Sequence, residues 1–173
     1  MVGGLDVTAA SLASQQLGDP DIDELLAFMS TCSGFFELVK GYPPEREDAA
    51  QLIQDRPEGL SAARKLLIGL RRDGGLVGVL EVLQGYPDPK TWYLGLLLLD
   101  PKLRGGGLGA AVYAAMRRWA AAHGARRIQL VVQEQNPSAL AFWRAMGFRE
   151  IGRAEQTLRT GSNRVLRMAH DFG

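Results

Sequence analysis

At 173 residues the chain has room for one domain with a proper core and hardly for two. Hydrophobic residues make up 46% and charged residues 23%, which excludes a disordered chain, and a formal net charge of +1 gives no footing for nucleic acid or an anionic membrane as partner. One cysteine, Cys32, excludes an internal disulfide and a cysteine-rich zinc site; with only His123 and His170 besides, no metal is expected.

The start of the chain lacks the basic residues and apolar core of a signal peptide, so a cytoplasmic protein is expected. Residues 1–18 suit either a flexible extension or a first strand. From Asp19 the pattern turns helical: Asp21, Asp23 and Glu24 place acids in a first turn, and Ile22, Leu25, Leu26 and Met29 recur at helix spacing. Phe35 to Val39 forms a short apolar segment stopped by Gly41 and Pro43-Pro44, and Glu45 to Gln54 reads as another helix. Leu66 to Leu70 and Leu76 to Leu83 read as a hairpin turning at Arg72-Asp73-Gly74-Gly75. Trp92 to Leu99 is apolar on both faces, which predicts a strand buried on both. Its apolar run is far shorter than the roughly 18 residues of a membrane helix.

A glycine loop follows, Asp100 to Ala110, then an Ala-rich helix from Leu108 to Ala122 closed by His123-Gly124. Ile128 to Gln133 reads as a strand, Asn136-Pro137 opens a helix to Ala145 or Met146, and Arg149 to Thr157 and Arg164 to His170 form a last pair of strands. The helix between strands 92–99 and 128–133 makes those two parallel. The expected architecture is a mixed sheet with helices packed on it, in one domain spanning residues 1–173.

In the loop Arg104-Gly105-Gly106-Gly107-Leu108-Gly109, consecutive glycines let backbone N–H groups approach a ligand, and the helix start adds unsatisfied donors. That is the chemistry of a phosphate cradle. No Gly-Lys-Ser/Thr follows, which excludes a Walker loop. Gly105, Gly107 and Ala110 satisfy a dinucleotide fingerprint, but the elements around them do not, and the acid expected about 20 residues on is absent. A glycine loop without a ligand is the remaining reading.

Arg104-x-x-Gly107-x-Gly109 after a buried strand and Pro101 resembles the pyrophosphate loop of the GNAT acetyltransferases. Asn136-Pro137-Ser138-Ala139 through Phe142-Trp143 to Gly147-Phe148 is similar to that family's helix after the fifth strand. The resemblance covers roughly Leu66 to the C-terminus. It implies an α/β (α+β) fold with a mostly antiparallel central sheet, flanking helices and one parallel β-α-β crossover. It also implies transfer of an acetyl or other acyl group from acetyl-CoA to a primary amine of a small molecule or peptide. A non-catalytic acyl-CoA-binding or sensor domain of the same fold is the alternative. A homodimer is compatible with the family, and no residue decides it.

Carried over residue by residue, the resemblance gives Leu97, Leu98 and Leu99 as backbone partners of pantetheine. Arg104, Gly105, Gly106, Gly107, Leu108 and Gly109 would hold the pyrophosphate. Asn136 would bond the cofactor's amide arm, although Asn-Pro-Ser is also a good helix cap. Glu81 is the candidate general base, ahead of Glu37 and Glu134, because a carboxylate amid apolar neighbours should have a raised pKa; it is equally placed to be a solvent-facing strand residue. Trp143 stands where the family commonly has a tyrosine that protonates the departing thiolate, and indole cannot do that; Tyr93, Tyr86 or water are the substitutes. Phe35, Phe36, Tyr42 and Tyr86, with Glu37 attracting a cationic amine, are candidates for the acceptor pocket, or are core.

Overall fold

The computed structural model describes residues 3–173. Seven strands form one sheet in the order β1-β2-β3-β4-β5-β7-β6. They are β1 (Ala13–Gln16), β2 (Lys65–Arg72), β3 (Gly75–Leu83), β4 (Thr91–Leu99), β5 (Arg127–Gln133), β6 (Arg149–Leu158) and β7 (Gly161–Asp171). Every neighbouring pair is antiparallel except β4 and β5, which run parallel as the intervening helix requires. The β2–β3 turn takes its geometry from Asp73 (φ 51) and Gly74 (φ 82), the double left-handed pair that suits a twisted hairpin.

Alternation along the strands sends side chains to two layers. Ile68, Leu70, Leu80, Val82, Trp92 and Leu94 face the layer of α4 (Leu108–Ala122) and α5 (Pro137–Ala145), where Met116, Trp119 and Trp143 are buried. Leu67, Val79 and Leu98 face α1 (Ile22–Thr31), α2 (Ser33–Lys40) and α3 (Arg46–Gln54), against Leu25, Phe28, Met29 and Phe36. The apolar segment after Gly34 is thus a full helix, joined to α1 through buried Cys32.

Of the two readings of residues 1–18, a flexible extension or a first strand, the described part holds the strand, β1. Leu5, Val7 and Leu12 are buried in the α4–α5 layer, Trp119 Nε1 donates to the Gly3 carbonyl at 2.5 Å, and β1 pairs with β2. An Ala- and Ser-rich segment carries little periodic signal, yet three spaced apolar side chains suffice to tie it down.

Candidate functional site

The parallel pair β4–β5 is joined at only three positions, Thr91 to Tyr93 against Arg127 to Gln129. Beyond Tyr93 the two strands part. The cause is local: across β3, Leu94 faces Val82 and Leu96 faces Glu81, so Gly95 is an extra residue, and such a bulge bends and twists its strand. Burial on both faces therefore fails in mid-strand. Gly95 is exposed, Leu96 and Leu97 are half-buried, and Val131 on β5 is 37% exposed. Beyond Tyr93 the β5 side of β4 has no strand partner among the described residues. The Leu99 carbonyl accepts from Arg104 Nε at 3.3 Å and Nη2 at 3.2 Å, and from Cys32 Sγ at 3.7 Å. Burial holds the Cys32 thiol above its ordinary pKa.

The gap leads into the glycine loop. Asp100 sets the entry, its carboxylate accepting from Lys102 N at 2.9 Å and its own amide donating to Val77 O at 2.9 Å. Gly105 (φ 79) and Gly107 (φ 80) take left-handed conformations that side chains disfavour, and a Cβ at Gly105, Gly106 or Gly107 would meet nothing within 4 Å. The α4 ladder begins with Ala111 N donating to Gly107 O at 3.0 Å, and no side chain caps the amides before it. Among the described residues no side chain bonds to these N–H groups, and an open cradle of this kind at a helix N-terminus fits a pyrophosphate, while the Arg104 guanidinium is turned back onto the Leu99 carbonyl. Gly109 serves helix packing as well: a Cβ there would press on Phe142 at 3.2 Å, so its absence lets α4 seat against α5.

Asn136 is the cap of α5, its Oδ1 accepting from Ala139 N at 3.2 Å and Ser138 Oγ at 3.1 Å. Its NH2 group carries no such bond among the described residues.

Glu81 lies on the α1–α3 face of β3, and its surroundings are not the apolar ones expected. Lys65 Nζ, at the start of β2, is 2.9 Å from Glu81 Oε1, with side-chain exposures of 5% and 16%. Tyr93 shares the face; burial first, then Tyr86 and Glu81, push its phenol up to about 12. The rings of Tyr93 and Tyr86 meet edge to face at 5.9 Å. The sequence pattern singles out neither Lys65 nor Cys32 as part of this site. A signal for Lys65 exists, since it stands two residues before core-facing Leu67 and so points inward.

Trp143 is buried, with Phe142, Phe148 and Tyr113 edge-on to it at centroid distances of 4.8, 5.3 and 5.6 Å. Tyr113 does not replace the missing hydroxyl, because its OH is held by His170 Nδ1 at 2.7 Å.

The expected acceptor residues do not form one wall. Phe36 is core, edge-on to Phe35 at 5.2 Å. Glu37 points to solvent. Tyr86 alone joins Tyr93 and Glu81. Tyr42 lies under the Arg159 guanidinium at 3.8 Å, in a separate cleft of about 320 Å³ lined by Lys40, Asp48 and Thr157 among others. At that place three carbonyls in the last turn of α2 are met from across the gap: Leu38 O by Gln135 Nε2 at 3.5 Å, Val39 O by Asn163 Nδ2 at 2.7 Å and Lys40 O by Thr160 Oγ1 at 2.5 Å.

Among the described residues no group of His, Cys, Asp and Glu could hold a metal, and no helix is long and apolar enough to cross a membrane. A family model described as acetyltransferase (GNAT) family matches residues 28–148. An uncharacterized N-acetyltransferase of Mycobacterium tuberculosis is 32% identical over 106 residues, 61% of this chain and 65% of that protein. The chain thus matches less than two thirds of that relative's length. An acetyltransferase from Thermus thermophilus superposes with a TM-score of 0.73 at 26% identity, covering 94% of this chain and 97% of the other. A PaiA N-acetyltransferase from Thermoplasma acidophilum, solved with coenzyme A, superposes with a TM-score of 0.65 over 94% of this chain and 99% of the other. At 16% identity that likeness speaks to the fold alone.

Proposed function

The chain belongs to the GNAT acetyltransferase family, and from that premise we propose that it transfers an acetyl group from acetyl-CoA to a primary amine. The observation that carries the reading is the β4–β5 gap running straight into an open, uncapped helix N-terminus. Backbone groups along Leu97, Leu98 and Leu99 would pair with the pantetheine arm, the amides from Gly105 to Gly109 with Arg104 would hold the pyrophosphate, and the Asn136 NH2 group would reach the amide arm. Acetyl-CoA supplies the thioester that reacts.

Glu81 serves as general base. A lysine-type amine with a pKa near 10.4 is reactive in only about one molecule per 10³ at neutral pH. A carboxylate at the gap favours the ammonium on arrival and takes its proton as nitrogen bonds to the acyl carbon in place of sulfur. Neither Trp143 nor Tyr93 suits proton donation to sulfur: indole has no labile proton, and a phenol near 12 is far weaker an acid than a thiol near 8.5. The sulfur therefore leaves as thiolate and is protonated by water.

The test is calorimetric binding of acetyl-CoA to the wild type and to Arg104→Glu, with NADH as competitor, followed by CoA release with a panel of amines. Binding that is weakened in the variant and indifferent to NADH supports the reading; no binding to folded protein would sink it. A second reading, a non-catalytic acyl-CoA sensor, draws on the sealed position of Trp143. It predicts binding without CoA release for any amine.

A further inference from the structure

Burying a lysine beside a glutamate on a strand is costly, because each charge gives up its hydration and an apolar pair of the same size would pack as well. Here both members are retained, and the arrangement distinguishes the two carboxylate oxygens. Lys65 Nζ lies 2.9 Å from Oε1. The same ammonium donates to the Asp55 carbonyl at the end of α3, which fixes it from a second side. Among the described residues Oε2 has no such partner. It lies over Gly95, where a Cβ would collide with it and would stand 2.8 Å from the carboxyl carbon. Gly95 is the exposed bulge residue at which β4 leaves β5.

We infer that Lys65 is a positioning residue for amine acetylation: it anchors one oxygen of Glu81 so that the other is presented at the point where the sheet opens. The inference rests on the reading of Glu81 as the base. An unanchored glutamate on a strand rotates freely about its side-chain bonds, whereas a carboxylate gripped by an ammonium holds one orientation. The other titratable groups near it are few. Tyr93 comes from β4 and Tyr86 from the β3–β4 turn, while Arg56 lies beside Lys65 after α3 and Arg64 beside Gly85. Helices α1 and α2 contribute apolar side chains to this layer. Lys65 is the cation in direct contact.

The experiment compares Lys65→Met, Lys65→Gln and Lys65→Arg with the wild type by two readouts. One is the split of kcat against KM for acetyl-CoA. The other is the infrared carboxylate stretch of Glu81 in the ligand-free protein, isolated by difference against Glu81→Gln, which reads the ammonium contact to one oxygen. In the Met and Gln variants the stretch should shift and kcat should fall about tenfold with KM for acetyl-CoA nearly unchanged. Lys65→Arg should stay near the wild type on both. The Gln variant keeps a donor for the Asp55 carbonyl, so it answers the question if the Met variant does not fold. An unmoved stretch and an unmoved kcat, with Tm merely lowered, would overturn the inference and leave a structural ion pair. Full turnover by Glu81→Gln would sink the base reading itself. Loss of turnover there, with unmoved kcat in the Lys65 variants, sinks only the role of Lys65.

Discussion

Gly95 has no methyl group because the Glu81 carboxylate occupies its place. Gly95→Ala therefore displaces that carboxylate without removing any titratable group. The expected result is a fall in kcat of about tenfold or more with acetyl-CoA affinity nearly unchanged, since the lost contact is made only during reaction. Unchanged kcat by steady-state kinetics would show that the placement is not used. His170 gives a second single-residue prediction. Burial first, then Arg117, hold its pKa below the usual value, while Tyr113 occupies Nδ1. The unfolded chain then takes up a proton at higher pH than the folded one. Stability from this group is complete above about pH 6.5 and declines as the pH falls from there toward the folded value. His170→Gln lacks that slope, so the Tm difference between wild type and variant should narrow as the pH falls below about 6.5. A constant difference would mean that His170 titrates alike in both states. Sequence alone located Glu81 on its strand, but not its neighbour. Lys65 is far from it in sequence, and only the β2–β3 register brings the two together.

Helix α2 ends with three carbonyls bonded by side chains from the β5–α5 loop, the β6–β7 turn and the start of β7. Such groups are otherwise left to water or to local caps. Asn163→Ala should cost about 1–2 kcal/mol, because Val39 O loses its donor at a half-buried site. Urea titration measures the loss, and amide exchange should speed up in α2 and the β6–β7 turn together. Faster exchange in only one of them would refute the idea that these bonds couple the two. The elements themselves were largely legible in the sequence. Helix α4 and the glycine loop carry strong periodicity and turn chemistry, and the structure places α4 at the predicted residues. The bulge in β4 was not legible: an apolar run has no alternation to break, so an extra residue leaves no mark. Nor were the bonds to α2, since a cap delivered from about a hundred residues away has no local signature.

For the whole molecule the N-terminal segment matters more than its composition suggested. Leu5, Val7 and Leu12 are buried, and each is worth about 1.5–3 kcal/mol of burial. Their sum is comparable with the roughly 5–15 kcal/mol by which whole domains are stable. Deleting residues 1–12 should abolish cooperative thermal unfolding; a truncated protein with unchanged Tm would contradict the packing described. Acetyl-CoA at about 100 times its Kd should stabilise the folded state by about 2.7 kcal/mol, a Tm rise of roughly 5–10 °C for a chain of this size. Differential scanning calorimetry measures it, and Arg104→Glu should lose most of the rise. The early parting of β4 and β5 has one more consequence. A sheet normally has free edges only at its rims, whereas this one carries two further edges in its interior. Unpaired strand edges are templates for any extended chain, including another copy's unfolded segment. An amide-bearing ligand lying between them acts as a missing strand, so loading the protein should suppress its aggregation on heating as well as delay its melting.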